Sequence, residues 1–184
     1  MSRAPSPPKR RIHWPALLTA FRALMVIPVV VLLVEHQPWI AFVAFAVAAL
    51  TDGLDGFAAR KLSLVSETGQ LWDPIADKIL VLVSMIGLVV VHRFPAWAAA
   101  VIIARELAVT ALRLVADRRR RGFPASWAGK FKTGAQLIAV LLSIMPKGAV
   151  PHWMVSVSIW IAVALTVWSG LQYLVRARQI LHEG

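Results

Sequence analysis

A chain of 184 residues is usually a single domain, and this one, with 59% hydrophobic and 16% charged residues, is too apolar for an ordinary soluble domain. Cysteine is absent, which excludes a disulfide framework and thiolate chemistry. The formal net charge of +11 would suit nucleic acid, but the basic residues lie at the ends of apolar runs, as in membrane proteins that contact anionic headgroups. The composition therefore predicts an integral membrane protein, with membrane lipids and no nucleic acid among its partners.

The first part of the chain is a basic leader followed by an apolar run. Residues 1–14 are Pro-rich and carry four cations, Arg3, Lys9, Arg10 and Arg11. Residues 16–34 are long enough to span a membrane, because roughly 20 helical residues cross the ~30 Å hydrocarbon core. A signal peptide is the alternative, but no clear small-x-small cleavage site follows the run. We therefore predict a retained span, in which Arg22 either snorkels to the surface or contacts a phosphate.

Five further apolar segments of helical length follow, separated by short polar or Pro-containing turns. We expect the second span to run from Trp39 to near Arg60 and the third to start at Asp73-Pro74, because Pro suits the first helical position. The remaining spans are predicted at residues 96–115, 129–144 and 153–175. The expected fold is all-α and integral to the membrane, with a leader at 1–14 and a single six-helix transmembrane domain at 15–184.

Basic residues concentrate on one side of this six-span arrangement. That side holds the leader, Arg60-Lys61, the run Arg118–Arg121, Lys130, Lys132, Arg176 and Arg178, whereas the opposite turns hold only Arg93 and Lys147. Because cytoplasmic loops carry the excess of Lys and Arg, both termini are predicted to be cytoplasmic. The expected location is the plasma or inner membrane, crossed several times.

Four aspartates in the second and third spans are the strongest chemical signal. Asp52 and Asp55 are three residues apart, and Asp73 and Asp77 are four apart, so on helices each pair shares a face. A lone charge at mid-bilayer costs about 2.5–3.5 kcal/mol, so these groups must face one another, water or a cation. Carboxylate oxygens suit hard ions such as Mg²⁺, Mn²⁺ or Ca²⁺. Taken singly, Asp73 is also consistent with a helix cap and Asp77 with an ion pair to another helix.

The same stretch fits the pattern D-x2-D-G-x2-A-R-x8-G-x3-D-x3-D at every fixed position. It resembles the signature of the CDP-alcohol phosphatidyltransferases, membrane enzymes that transfer a phosphatidyl group from a CDP-linked lipid and release CMP. The resemblance implies a cytoplasm-facing active site in which Mg²⁺ or Mn²⁺ is held by Asp52, Asp55, Asp73 and Asp77. Asp77 would also be the general base. The resemblance further implies that the CDP-lipid pocket is lined by Gly56, Ala59, Arg60 and Gly69.

A second part of the resemblance lies at the start of the first span. Family members usually read Pro-Asn-x-Leu-Thr-x-x-Arg there, and this chain reads WPALLTAFR. Pro15, Thr19 and Arg22 are kept, whereas Ala16 stands in place of Asn. The resemblance places Thr19 among the residues that contact the CDP-lipid.

Cations on the cytoplasmic side are candidates for binding the phosphate of an acceptor. Arg105 and Arg113 are eight residues apart and share a helix face, and Lys130 and Lys132 open the fifth span, where the helix N-terminus favours an anion. Headgroup binding is the alternative explanation. Residues 104–113 and 125–136 resemble the glycerol-phosphate-using branch of the family. That resemblance implies CDP-diacylglycerol and sn-glycerol 3-phosphate as substrates and phosphatidylglycerophosphate as product.

Three alternatives remain open from the sequence. A sibling enzyme would use inositol phosphate or phosphatidylglycerol as acceptor. A cation transporter would carry ions on acids at mid-bilayer. A lipid-binding structural protein would have no activity to lose. Family members are typically homodimers, so the resemblance also implies a dimer.

Overall fold

A computed structural model describes the backbone of residues 14–62, 69–118 and 127–182, and the side chains of 24–51, 78–112 and 131–175. In these ranges the regular structure is entirely α-helical, apart from an isolated bridge between Lys147 and Val150. The all-α prediction is confirmed. The predicted leader lies outside the described residues, except for Trp14, which opens the first helix. Of the run Arg118–Arg121, Arg118 is the one residue whose backbone is described.

Six helices are described, and they agree closely with the predicted segments. Their bounds are Trp14–Val34 (α1), Pro38–Leu62 (α2), Gly69–Val90 (α3), Ala96–Arg118 (α4), Trp127–Ile144 (α5) and His152–His182 (α6). The predicted start of the third helix was wrong, because α3 begins at Gly69, one turn before Asp73-Pro74. The sixth helix is also longer than predicted and continues two turns past residue 175.

The helices pack as a ring with further contacts across it. In the described residues, α1 contacts α2 and α3, α3 contacts α4, α4 contacts α6, α6 contacts α5, and α5 contacts α2. A further contact between α3 and α5 crosses the ring and divides it in two. Because the turns between α1 and α2 and between α3 and α4 are short, each of these pairs is antiparallel. The end of α2 and the start of α3 therefore lie at the same end of the bundle as the end of α4 and the start of α5.

Buried residues follow the helical repeat on each helix. On α1 they are Val26, Val29 and Leu33, and on α2 they are Ala41, Phe45 and Ala48, each set spaced by three or four residues. On α3, Met85 and Leu88 are fully buried, and on α4 the same is true of Ile102. These side chains form one continuous apolar core in the half of the bundle near the short turns.

The outward surface of the bundle is as apolar as its core. Large hydrophobic side chains are exposed on every helix that has described side chains, including Trp39 and Leu50 on α2 and Trp153, Trp160 and Trp168 on α6. Soluble monomers rarely expose such extended apolar surface, whereas lipid tails cover it at no cost. The surface pattern is that of a protein surrounded by lipid.

Helix length and hydropathy identify one candidate membrane span among the described residues. Among the residues described, the segment His152–Val175 of α6 has the length and hydropathy needed to cross a membrane. The other apolar stretches in that part of the chain are shorter, at Leu24–Val34, Pro38–Thr51, Lys78–Val90 and Phe131–Ile144. Each of the four starts or ends where the described side chains start or end, and each belongs to a helix that continues toward the acidic end of the bundle.

Two helices end in the same left-handed cap at the end of the bundle opposite the aspartates. His36 and His92 have φ of 58° and 55°. In each cap the next residue donates its N–H to the carbonyl five residues earlier, Gln37 to Leu32 at 2.9 Å and Arg93 to Leu88 at 2.8 Å. This is the Schellman motif, in which glycine is the usual left-handed residue. The Arg93 guanidinium also donates to the carbonyls of Ile144 and Met145 at 2.9 and 3.1 Å, which ties the cap of α3 to the end of α5.

Replacing His92 tests the cost of that cap. We expect His92→Gly to raise the thermal unfolding midpoint, because glycine adopts positive φ without the steric cost of a Cβ. His92→Val should lower the midpoint, because a left-handed residue with a Cβ costs about 1–2 kcal/mol and a β-branched one is the worst case. Thermal unfolding of the two purified variants in detergent measures both shifts. Equal midpoints for the Gly and Val variants would contradict the assignment.

Candidate active site

The core becomes polar toward the end of the bundle that carries the acidic motif. Buried polar side chains appear at equivalent heights on α4, α5 and α6: Glu106, Lys132, Gln136, Thr166 and Ser169. Each continues the buried stripe of its helix, since Glu106 follows Ile102 by four residues and Gln136 precedes Val140 by four. Buried polar groups are costly unless they are paired, and most of these are hydrogen-bonded or ion-paired with one another; among the described residues, Arg105 Nε and Glu106 Oε2 have no hydrogen-bond partner.

Glu106 is the centre of that polar region. Its carboxylate is 2% exposed, and among the described side chains three cations contact it. Lys132 Nζ from α5 and Arg105 Nη1 from α4 donate to Oε1, the latter at 3.2 Å. Lys78 Nζ from α3 lies 3.1 Å from Oε2. We call Lys78, Arg105, Glu106 and Lys132 the Glu106 cluster.

A second layer of hydrogen bonds fixes the cluster to α4 and α6. Lys78 Nζ donates to Thr110 Oγ1 at 2.7 Å, and Arg105 Nη2 donates to Ser169 Oγ at 2.9 Å. The Arg105 guanidinium also lies 5.6 Å from the ring centre of Tyr173. Gln136 Nε2 donates to Thr166 Oγ1 at 2.9 Å and approaches Glu106 Oε1 at 3.4 Å. One carboxylate and its partners therefore link α3, α4, α5 and α6.

The charges of the cluster do not balance. Three cations against one carboxylate leave a formal charge of +2. Glu106 reduces the mutual repulsion of the cations, and the remaining charge favours an anion at this end of the bundle. Removing one partner of a buried ion pair typically costs about 3–5 kcal/mol, because the other charge is left unpaired. The arrangement is suited to a phosphate-bearing ligand.

The predicted acceptor residues are partly brought together. Arg105 and Lys132 come from different helices and contact the same carboxylate oxygen. Arg113 lies on α4 and Lys130 on α5, at the same end of the bundle, but their side chains are outside the described set. Their role in binding an acceptor stays a prediction.

For the acidic motif the backbone alone is described. Asp52 and Asp55 lie on α2, and Asp73 and Asp77 on α3, so both pairs are helical as the spacing predicted. The side chains of all four lie outside the described residues, and so do those of the predicted donor-site residues, Thr19, Gly56, Ala59, Arg60 and Gly69. Convergence of the four carboxylates stays a prediction.

The donor set of the motif fits a hard divalent cation. Four carboxylates supply oxygen ligands, and the sequence contains no cysteine. Among the described side chains, no group of three His, Asp or Glu residues is placed to hold a metal ion. The four aspartates stay the predicted metal ligands.

One member of the Glu106 cluster and several residues that contact the cluster were not predicted from the sequence. Lys78 directly follows Asp77 and was not singled out, and Gln136, Thr166, Ser169 and Tyr173 were not considered. Two signals were available. Glu106 is an acid within an apolar helix, which requires a partner, and Lys132 and Gln136 are four residues apart and so share a face of α5.

The fold and the site together define a helical, lipid-surrounded protein with an acidic motif beside a buried cation cluster. A sequence profile described as CDP-alcohol phosphatidyltransferase matches residues 12–168. The chain belongs to the CDP-alcohol phosphatidyltransferase family, and it is an enzyme of that class. Because the chain belongs to an enzyme family, the enzyme interpretation is favoured over a cation transporter and over a lipid-binding structural protein.

Curated relatives carry more specific names. The chain is 45% identical over 134 residues to "CDP-diacylglycerol--glycerol-3-phosphate 3-phosphatidyltransferase" of Bacillus subtilis, covering 71% of this chain and 69% of that protein. It is 39% identical over 173 residues to the Escherichia coli K12 protein of the same name, covering 89% and 94%. It is 42% identical over 138 residues to "Probable phosphatidylglycerophosphate synthase" of Mycobacterium tuberculosis, covering 75% of this chain and 66% of that protein.

Gly170 lets α6 approach Arg105 closely. A Cβ on Gly170 would lie 3.2 Å from Arg105 Cγ and 3.6 Å from Nε, whereas a Cβ on Gly134 of α5 would meet nothing within 4 Å. Alanine favours helix over glycine by about 1 kcal/mol, so neither substitution weakens its helix intrinsically.

We expect Gly170→Ala to lower the rate of CMP release roughly tenfold, because Arg105 must move away from Ser169. Gly134→Ala is the matched control and should keep the wild-type rate. The assay is CMP release from CDP-diacylglycerol by purified protein in mixed micelles. Equal rates for the two alanine variants would show that the position of Arg105 does not matter for activity.

Proposed function

We propose that the protein transfers the phosphatidyl group of CDP-diacylglycerol to a hydroxyl of sn-glycerol 3-phosphate, forming phosphatidylglycerophosphate and releasing CMP. The names of the Bacillus subtilis and Escherichia coli relatives support this substrate pair. The observation that carries the proposal is the joining of Arg105 and Lys132 in one cluster with excess positive charge, at the end of the bundle where the acidic motif lies. A phosphorylated acceptor needs such a cluster, and an uncharged one does not.

The reaction requires a base, an oriented donor and an oriented acceptor. The acceptor hydroxyl oxygen attacks the phosphorus that carries the diacylglycerol, and the new P–O bond forms as the bond to the bridging oxygen of CMP breaks. Asp77 accepts the hydroxyl proton, and CMP leaves with the bridging oxygen. Asp52, Asp55, Asp73 and Asp77 would hold a divalent cation, Mg²⁺ or Mn²⁺, which would supply Lewis-acid polarisation of the phosphoryl oxygens when bound.

The remaining predicted residues bind the two substrates. Thr19, Gly56, Ala59, Arg60 and Gly69 surround the CDP-lipid, with glycine at the positions where nucleotide and helix pack closely. Arg105, Arg113, Lys130 and Lys132 attract the acceptor phosphate. The helix N-terminus at the start of α5 adds favourable potential beside Lys130.

The proposed setting is the plasma or inner membrane, with six spans and both termini in the cytoplasm. The apolar outward surface supports the membrane setting, and the distribution of Lys and Arg supports the orientation. In this orientation the nucleotide, the metal ion and the water-soluble acceptor all reach the site from the cytoplasm. The enzyme is proposed to act as a homodimer.

Replacing Asp77 tests the reaction and the base together. We expect Asp77→Asn to lower CMP release at least about a hundredfold, because the amide cannot accept the proton and is a weaker metal ligand. Glu35→Gln, an exposed acid in the turn between α1 and α2, is the control and should keep full activity. Removal of divalent metal with EDTA should abolish activity, and added Mg²⁺ or Mn²⁺ should restore it.

The acceptor is tested in the same assay. Glycerol 3-phosphate should support CMP release, whereas inositol phosphate and phosphatidylglycerol should not. If glycerol 3-phosphate is inert and one of the others is active, the acceptor assignment is wrong while the reaction class stands. Undiminished activity of Asp77→Asn would overturn the role of the acidic motif.

A further inference from the structure

We infer that Lys78 is a further acceptor-binding residue, which contacts the phosphate of a phosphomonoester acceptor, and that Glu106 is the positioning residue that holds it there. The inference rests on the proposed function, because it assumes that the acceptor carries a phosphate. It adds two residues to the acceptor site that neither the motif nor the cation pattern had assigned.

Exposure distinguishes Lys78 from the other cations of the Glu106 cluster. Its side chain is 26% exposed, compared with 11% for Arg105 and 6% for Lys132. Of these three cations, Lys78 is therefore the one with the side chain most open to a ligand. Arg105 and Lys132 add charge behind it, and both act on a ligand through the electrostatic potential even where they are enclosed.

The hydrogen bonds of Lys78 leave it able to bind a ligand. An ammonium group has three N–H donors. In the described part of the chain, Nζ donates to Thr110 Oγ1 at 2.7 Å and faces Glu106 Oε2 at 3.1 Å. The hydrogen bond to Thr110 and the ion pair with Glu106 direct the side chain toward α4, and among the described residues at least one donor of Nζ makes no hydrogen bond.

The place of Lys78 on α3 bears on the shape of the acceptor. It follows Asp77 directly, so it is displaced by about 1.5 Å along the helix and about a quarter turn around it. In glycerol 3-phosphate, a three-carbon chain separates the attacking hydroxyl from the phosphate. Successive helical side chains point about 100° apart, so the three-carbon chain of the acceptor would have to join a hydroxyl at Asp77 to a phosphate at Lys78 across that angle.

The charge of the cluster also matches the ligand. A phosphate monoester has a second pKa of about 6 and is largely a dianion at neutral pH. The formal charge of +2 that remains on the Glu106 cluster is the complement of that dianion. Without Glu106, three like charges on α3, α4 and α5 would repel one another, so the carboxylate allows them to be held close together before the acceptor arrives.

Steady-state kinetics of Lys78→Met test the inference, since Met keeps the apolar stem and removes the ammonium. We expect the KM for glycerol 3-phosphate to rise at least about tenfold, because one charged hydrogen bond to the phosphate is lost. The KM for CDP-diacylglycerol should stay within about twofold of wild type. Inorganic phosphate should compete with glycerol 3-phosphate, and its inhibition constant should rise by the same factor. Lys78→Arg should recover part of the loss.

Two further variants keep the test decisive. Thr110→Val leaves the ammonium but removes one of its anchors, so it should raise the same KM by a smaller factor. Lys147→Met removes an exposed lysine at the opposite end of the bundle and should change nothing. The inference would be overturned if Lys78→Met left the KM for glycerol 3-phosphate unchanged. It would also be overturned if both KM values rose equally while the inhibition constant of inorganic phosphate stayed the same.

The inference and the proposed function can fail separately. If the wild-type enzyme uses inositol phosphate instead of glycerol 3-phosphate, the proposed acceptor is wrong, yet the KM for inositol phosphate in Lys78→Met still decides the role of Lys78. If the wild-type enzyme uses only an acceptor without a phosphomonoester, both proposals fail.

Discussion

The architecture depends on one buried carboxylate that holds cations from three helices together. Glu106 contacts Lys78 of α3, its neighbour Arg105 on α4 and Lys132 of α5, and Arg105 extends the connection to Ser169 of α6. In a lipid environment, apolar surface does not drive helices together, so packing and interhelical polar contacts must hold the bundle. The Glu106 cluster supplies such contacts between α3, α4, α5 and α6. The same contacts fix the spacing of α3, α4 and α5.

This division of the core gives each half a separate role. The half near the short turns is apolar and is closed by the left-handed caps at His36 and His92. The half near the acidic motif is polar, carries excess positive charge and faces the end where α2 stops and α3 starts. An enzyme that joins a lipid to a soluble phosphate needs both properties in one bundle. The apolar half holds the helices together, and in the proposed function the charged half meets the substrates.

The fold could be predicted from the sequence more completely than the site. The six apolar segments and their turns gave the helices, because hydropathy and Pro or polar turns determine where a helix in lipid can end. The start of α3 was misplaced because Asp73-Pro74 resembles a first turn, although α3 begins at Gly69. The sequence pointed to Arg105 and Lys132 as candidate cations. Their shared contact with Glu106 could not be predicted, because the pairing of α4 with α5 depends on tertiary packing. Lys78 was missed for the same reason, since its partners Thr110 and Glu106 lie far away in the sequence.

Glu106 and Lys132 stabilise the bundle as a pair, and a double-mutant cycle on thermal stability measures the coupling between them. Glu106→Gln and Lys132→Met should each destabilise the protein by about 3–5 kcal/mol, because each leaves a buried charge with reduced compensation. The double variant should be less destabilised than the sum of the two, by at least about 1 kcal/mol. Additivity of the two single effects to within about 0.5 kcal/mol would show that the groups do not interact, and would contradict the account.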